Sequence, residues 1–185
     1  LIPSSENKIQ IDSKDENSVS LTNKNGRLII KNTLKELVSE DAYNVSIRVY
    51  FKELNAINAE SGSYIFSKET LKSNSLKLTA NLGAKIDLKL TSDDVEAKVF
   101  TGATMNLEGS AKSGNFIANA GGTIKAKDLK FEDLSATVNA GGKLDVTASN
   151  SIKATTRAGG NINIYGNPES VIEKTTAGGN INRIK

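Results

Sequence analysis

The sequence predicts an all-β chain wound as a parallel solenoid, and three observations carry that prediction. A motif of Gly, a small residue, any residue and then Ile, Leu or Met recurs behind Gly62, Gly83, Gly102, Gly121, Gly141, Gly159 and Gly178. These glycines stand 21, 19, 19, 20, 18 and 19 residues apart, and a fixed period of about twenty marks a repeat architecture. Around each glycine, apolar and polar residues alternate, as in a strand with one buried face.

The columns of the repeat give the faces. Three residues after the leading glycine stand Ile65, Ile86, Met105, Ile124, Leu144, Ile162 and Ile181. Three before it stand Ala59, Ala80, Val99, Ala118, Val138, Thr156 and Thr175. Odd offsets from −7 to +5 are apolar or small, so they are expected to point inward. Even offsets are mostly polar, and the leading glycine shares that outward face. Helical 3.6 spacing is absent from these columns. A glycine inside a strand pattern implies a sharp bend. Each repeat therefore reads as a strand, a glycine corner, a second strand and a variable loop, with coils stacked about 4.8 Å apart.

The structural rival is a meander or barrel of antiparallel hairpins, which would place tight Asn-Gly-type turns at every other junction. Asn25-Gly26 alone fits, and it lies outside the repeats. A membrane barrel would call for aromatic girdles, whereas the chain has no Trp, four Tyr and five Phe.

Taken in order, the chain opens with Leu1-Ile2-Pro3 rather than Met, which points to processing, so any signal peptide would already be gone. Ile9 and Ile11 alternate in one short strand pattern, and Val19 and Leu21 in another. Arg27 to Lys31 reads as a strand after the Asn25-Gly26 turn. Leu34, Leu37 and Val38 have helical spacing over no more than a turn or two. Val45, Ile47, Val49 and Phe51 alternate strongly into the first repeat. Residues 1–51 are thus expected to be N-terminal strands that pack on or cap the repeats of residues 52–185, all within one domain. Arg183 and Glu173 replace apolar residues in inward columns of the last repeat, as expected where no further coil covers them. The stack is expected to finish near Lys185.

Composition bounds the chemistry. With no His and no Cys, Ser-His and Cys-His nucleophile systems, imidazole metal sites and zinc fingers are excluded. The net charge of +3 comes from 24 basic and 21 acidic residues. These are interleaved, a poor fit to nucleic acid. No stretch approaches 18 apolar residues, so no transmembrane helix is expected.

Carboxylate pairs are the remaining catalytic candidates. Asp93-Asp94 and Glu132-Asp133 are expected in the variable loops, where charge is ordinarily solvation. Asp87 and Asp145 share the +4 column, but Asn106 and Lys125 intervene, giving a separation of roughly 14 Å at the strand spacing, too wide for glycosidase geometry. Calcium-binding β-rolls use a nonapeptide repeat about half as long as this one. Asn161 with Asn180, and Asn163 with Asn182, are better read as stacked amide ladders. Each Gly-Gly opens a strand, not a helix, and the spacing of a phosphate-binding loop is missing. Tyr64, Phe66, Phe100 and Tyr165 occupy outward positions, where they suit sugar stacking or protein contact, or lie under the N-terminal residues. No cofactor is expected.

The repeats Ala158 to Asn163 and Ala177 to Asn182, AGGNIN in both, resemble the Gly-Ile-Asn signature of the head GIN domain of auto-transporter adhesins. The block from Val45 to Leu54, leading into Ala59-Glu60-Ser61-Gly62-Ser63, looks like that family's strand before its first coil. The resemblance spans about residues 8–185. It implies a right-handed β-helix of about seven coils of 18–21 residues, secreted or in the cell envelope, with no known catalytic residues. The expected function is a non-enzymatic adhesin or binding scaffold facing a surface protein or glycan, with a homo-oligomer (dimer or trimer) open. The alternative is a carbohydrate-binding or carbohydrate-processing β-helix.

Overall fold

The structure, a computed structural model, describes residues 1–13, 19–32 and 45–184. The chain divides into two compact units, Ile2–Lys52 and Glu53–Lys185 with Leu1. Every regular element among the described residues is a β-strand.

In the smaller unit, β1 (Ile2–Pro3) and β2 (Lys8–Asp12) flank β5 (Ser46–Phe51), parallel and antiparallel to it respectively. Strands β3 (Val19–Lys24) and β4 (Arg27–Asn32) form an antiparallel hairpin. Asn25 and Gly26 close it with φ of 52° and 73°, the doubly left-handed geometry for which Asn-Gly is the favoured pair. The expected helical turn at Leu34, Leu37 and Val38 lies outside the described residues.

The larger unit contains β6 (Ala56–Ala59), β7 (Tyr64–Ala80), β8 (Lys85–Val99), β9 (Thr104–Asn119), β10 (Thr123–Asn139) and β11 (Lys143–Arg157). It continues with β12 (Asn161–Tyr165), β13 (Ser170–Thr176) and β14 (Asn180–Arg183). All pair in parallel, each with the strand one repeat away. Thus Ile86 lies beside Met105, Met105 beside Ile124, Ile124 beside Leu144 and Leu144 beside Ile162. The unit is a β-solenoid, and the fold has about seven turns.

The interior consists of the columns read from the sequence. Ile86, Met105, Ile124, Leu144 and Ile162 are 0% exposed, as are Ala80, Val99, Ala118, Val138 and Thr156. Burying each large aliphatic side chain stabilises the fold by about 1.5–3 kcal/mol relative to leaving it in water. Gly114 stands in a column that holds Leu76, Val95, Leu134 and Ile152 elsewhere. The missing side chain makes room for Phe131, whose ring meets Phe116 edge to face at 5.2 Å and 85°. A Cβ on Gly114 would lie 2.4 Å from the Phe131 ring.

Two expectations are corrected. The residue just before the leading glycine does not point inward: Leu82 is 52% exposed, and Ser61, Thr101, Ala120 and Ala140 are exposed as well. Both residues of the corner are left-handed, as in Ala140 (φ 49°) and Gly141 (φ 79°), and two such residues in succession interrupt the alternation. Inward direction resumes with Ala84, Ala103, Gly122 and Gly142. At Gly142 a Cβ would stand 2.8 Å from the carbonyl oxygen of Ala118, so this second glycine answers a need for space.

The second correction concerns the variable loops. Asp93-Asp94 lie inside β8 and Glu132-Asp133 inside β10. In β8, Leu88, Leu90 and Ser92 are buried, then Val95, Ala97 and Val99; the two aspartates between them both face outward. In β10, Lys127-Asp128 and Glu132-Asp133 are outward pairs of the same kind, close to where the register with β11 shifts. Neighbouring coils bend together there, so ladder pairing carries on around the corner and no loop forms.

In the last described coil the interior columns hold Arg183 beside Ile164 and Glu173 beside Ala154. Arg183 Nε lies 2.8 Å from Glu173 Oε1. The two exposed charges answer each other over the aliphatic layer, which is the polar replacement expected from the sequence.

Candidate functional site

The register places two outward columns side by side on one sheet face. One is Tyr64, Lys85, Thr104, Thr123, Lys143, Asn161 and Asn180; the other is Phe66, Asp87, Asn106, Lys125, Asp145, Asn163 and Asn182. Side chains bond from coil to coil. Asn106 Nδ2 donates to Asp87 Oδ1 (2.5 Å), Asn163 Nδ2 to Asp145 Oδ1 (2.7 Å) and Asn182 Nδ2 to Asn163 Oδ1 (3.0 Å). Asn180 Nδ2 donates to Asn161 Oδ1 at 3.1 Å. These are the amide ladders read from the sequence, with Asp145 joined to one of them.

Asp87 and Asp145 are held apart as expected, three coil steps or roughly 14 Å along the column. Each has its own ammonium partner, Lys85 Nζ at 2.8 Å from Asp87 Oδ2 and Lys143 Nζ at 3.3 Å from Asp145 Oδ2.

At one end of this face the aromatic candidates converge. The rings of Tyr64 and Phe66 stack with centroids 5.1 Å apart and planes 23° from parallel, and the residues are 53% and 44% exposed. Tyr64 Oη donates to Asp87 Oδ2 at 2.6 Å, while Lys85 Nζ stands 4.8 Å from the Tyr64 ring centroid, within cation–π range. Partial burial by itself would raise the Asp87 carboxyl, but hydrogen bonds from Lys85, Tyr64 and Asn106 outweigh it and hold the group below its ordinary value. The same carboxylate raises the Tyr64 hydroxyl and the Lys85 ammonium through the hydrogen bonds they donate to it.

Phe100 and Tyr165 do not join this cluster. Phe100 is half-buried in the column two residues before the glycine. Tyr165 lies five coil steps from Tyr64, roughly 24 Å along the stack, half-buried with Lys127 Nζ 5.0 Å from its ring. Sequence reading missed that Lys85, Asp87 and Asn106 complete the Tyr64–Phe66 site. The signal was available: they occupy the same two columns in the next two copies.

A second polar cluster follows the bend at Asp93-Asp94 and Glu132-Asp133. Ser113 Oγ donates to Asp94 Oδ1 (2.7 Å), Ser151 Oγ and Asn150 Nδ2 donate to Asp133 Oδ1 (2.5 and 2.8 Å), and Lys112 Nζ pairs with Asp93 Oδ1 (2.7 Å). These carboxylates are bound to their neighbours. Among the described residues no three Asp or Glu side chains converge as metal ligands, and no helix is long and apolar enough to cross a membrane.

Solved structures share the whole architecture. A putative adhesin from Bacteroides fragilis superposes with a TM-score of 0.89 at 20% identity, over 99% of this chain and 86% of that one. A putative adhesin from Parabacteroides merdae gives 0.74 at 18% identity, over 100% and 87%. A putative lipid binding protein from Parabacteroides distasonis gives 0.65 at 16% identity, over 96% and 83%. These likenesses speak to the fold. No curated protein matches the chain. The family described as "putative auto-transporter adhesin, head GIN domain" matches residues 1–168, the family whose signature AGGNIN resembles, and the chain belongs to it.

Proposed function

We propose that this chain is a non-enzymatic binding scaffold of the cell surface or envelope, an adhesin that meets a surface protein or glycan through its outward columns. The observation that carries the reading is the bonding of those columns from coil to coil. Side chains already fixed by neighbours lose little further freedom on binding, which lowers the entropic cost of a contact made from many weak interactions. Family membership supports adhesion. A non-enzymatic role fits Asp87 and Asp145, which are each ion-paired to their own lysine and stand too far apart to act as a glycosidase pair.

The test uses beads coated with the intact protein, washed over immobilised mucin, extracellular-matrix protein, epithelial cells and bacterial envelopes. Saturable retention on one surface, competed by soluble protein, supports the reading. Retention no better than an inert coating on every surface sinks it. Catalytic turnover of a polysaccharide would replace it with the enzymatic alternative. Protease shaving of intact source cells tests the location: an exposed adhesin is cleaved before the cells lyse.

A further inference from the structure

We propose that Tyr64, Phe66, Lys85, Asp87 and Asn106 form a subsite for an uncharged pyranose ring of a glycan. The inference rests on the binding-scaffold reading and names the ligand class of one site on it.

Stacked on each other, Tyr64 and Phe66 remain 53% and 44% exposed, so aromatic surface is left for a ligand. Elsewhere the two columns carry Lys, Thr, Asn and Asp, so a pair of exposed aromatic rings here lacks the scattered character of ordinary surface apolar residues. A pyranose presents a C–H face that packs on an aromatic ring, with hydroxyls around its rim that each donate and accept.

The polar groups beside the rings match that rim. Asp87 Oδ2 accepts from Tyr64 Oη and Lys85 Nζ, and Asp87 Oδ1 accepts from Asn106 Nδ2. After these bonds, Lys85 and Asn106 still have N–H donors, while Tyr64 Oη, Asn106 Oδ1 and Asp87 Oδ1 still have acceptor lone pairs. Donors and acceptors thus alternate over two coil steps, roughly 10 Å, the scale of one or two sugar rings. A protein partner of ordinary affinity would bury about 800 Å² on each side, with an apolar centre larger than two rings.

Charge narrows the ligand further. Lys85 and Asp87 neutralise each other in direct contact, so the side chains of the subsite carry no net charge to attract a sulfated or sialylated glycan; the nearby Leu1 ammonium is engaged by the Phe66 carbonyl, to which it donates at 2.7 Å. A neutral ligand leaves the ion pair intact, whereas an anionic one would have to compete with Asp87 for Lys85.

The experiment titrates isotope-labelled protein by NMR with neutral oligosaccharides of glucose, galactose, mannose and N-acetylglucosamine, and with sialylated and sulfated counterparts. At least one neutral member is expected to saturate, with shifts centred on the amides of Tyr64, Phe66, Asp87 and Asn106. Phe66→Ala is expected to weaken that binding at least tenfold and Asp87→Asn several-fold. Tyr165→Ala, at the distant aromatic, is expected to leave it unchanged. Phe66→Leu keeps apolar bulk without a ring face and serves as the variant that remains folded, its unfolding midpoint checked against wild type. Saturation by no neutral glycan, preference for the anionic members, or wild-type affinity in Phe66→Leu would each overturn the inference. Bead retention that survives in Phe66→Leu would leave the scaffold reading standing and remove this site alone.

Discussion

The glycine corner and the other bends of each coil redirect the same chain around the same core by different means. At the glycine corner two successive residues are left-handed, Ala140 at 49° and Gly141 at 79°, and the next residue enters the core under the Ala118 carbonyl. At Asp93-Asp94 and Glu132-Asp133 neither residue has a positive φ; the chain turns by sending two adjacent side chains outward. The first corner makes steric demands that few residues meet. The second asks only for two polar residues in a row. Rigid and permissive turns therefore coexist around the coils, and the glycine corner is the more demanding of these two kinds.

Substitutions at the corners sharpen this contrast. The largest loss is expected at Gly109, which lies in β9 away from the glycine corner: its φ is 118°, and a Cβ would stand 1.9 Å from the Leu90 carbonyl oxygen. Gly109→Ala is expected to cost about 3 kcal/mol, or roughly 6–12 °C in the unfolding midpoint. Gly142→Ala meets the Ala118 carbonyl at 2.8 Å and is expected to cost about 1–3 kcal/mol in denaturant titration. Gly141→Ala finds open space but keeps a left-handed φ, for a loss of about 1–2 kcal/mol. Ala140→Gly relieves the same strain at its neighbour while loosening the unfolded chain, so a gain of no more than about 1 kcal/mol is expected. If Gly141→Ala proved harsher than Gly142→Ala, the division into a conformational glycine and a space-making glycine would be reversed.

A smaller effect depends on pH. The folded Asp87 carboxyl lies below its ordinary value of 3.8, so its contribution is fully present above the unfolded value and is lost as pH falls through the folded one. Between pH 5 and pH 2, stability is expected to fall less steeply for Asp87→Asn than for wild type. Identical slopes would mean that the Lys85, Tyr64 and Asn106 bonds do not act on the carboxylate.

The two kinds of corner also explain what could be read in advance. Inward columns such as Ile124, Leu144 and Ile162 were legible because each coil repeats the same burial and the glycine fixes the register. The outward turn of Leu82 was not legible, since alternation alone does not foresee two left-handed residues in a row. The bends at Asp93-Asp94 and Glu132-Asp133 looked like loops because polar residues in a row have no strand signature, although parallel neighbours on both sides keep them paired. The aromatics illustrate the same limit for the site. Outward placement was readable for Tyr64, Phe66, Phe100 and Tyr165, but the stacking of the first two within β7 rests on their side-chain conformations, and the bond from Tyr64 to Asp87 on a contact between coils.

The central claim is that one face of each strand holds the fold while the other is free to bind. Leu144 and Lys143 are adjacent in β11, one 0% exposed and the other exposed. Leu144→Asp and Lys143→Ser, compared by thermal unfolding of the purified protein, test the claim most directly. Leu144→Asp buries an unpaired charge among aliphatic neighbours and is expected to abolish the cooperative transition. Lys143→Ser removes an ammonium whose side chain is 46% exposed and leaves Asp145 the bond from Asn163, so it is expected to stay within about 1 kcal/mol of wild type. Equal damage from the two substitutions would contradict the assignment of faces, and with it the idea of an outer surface free for binding.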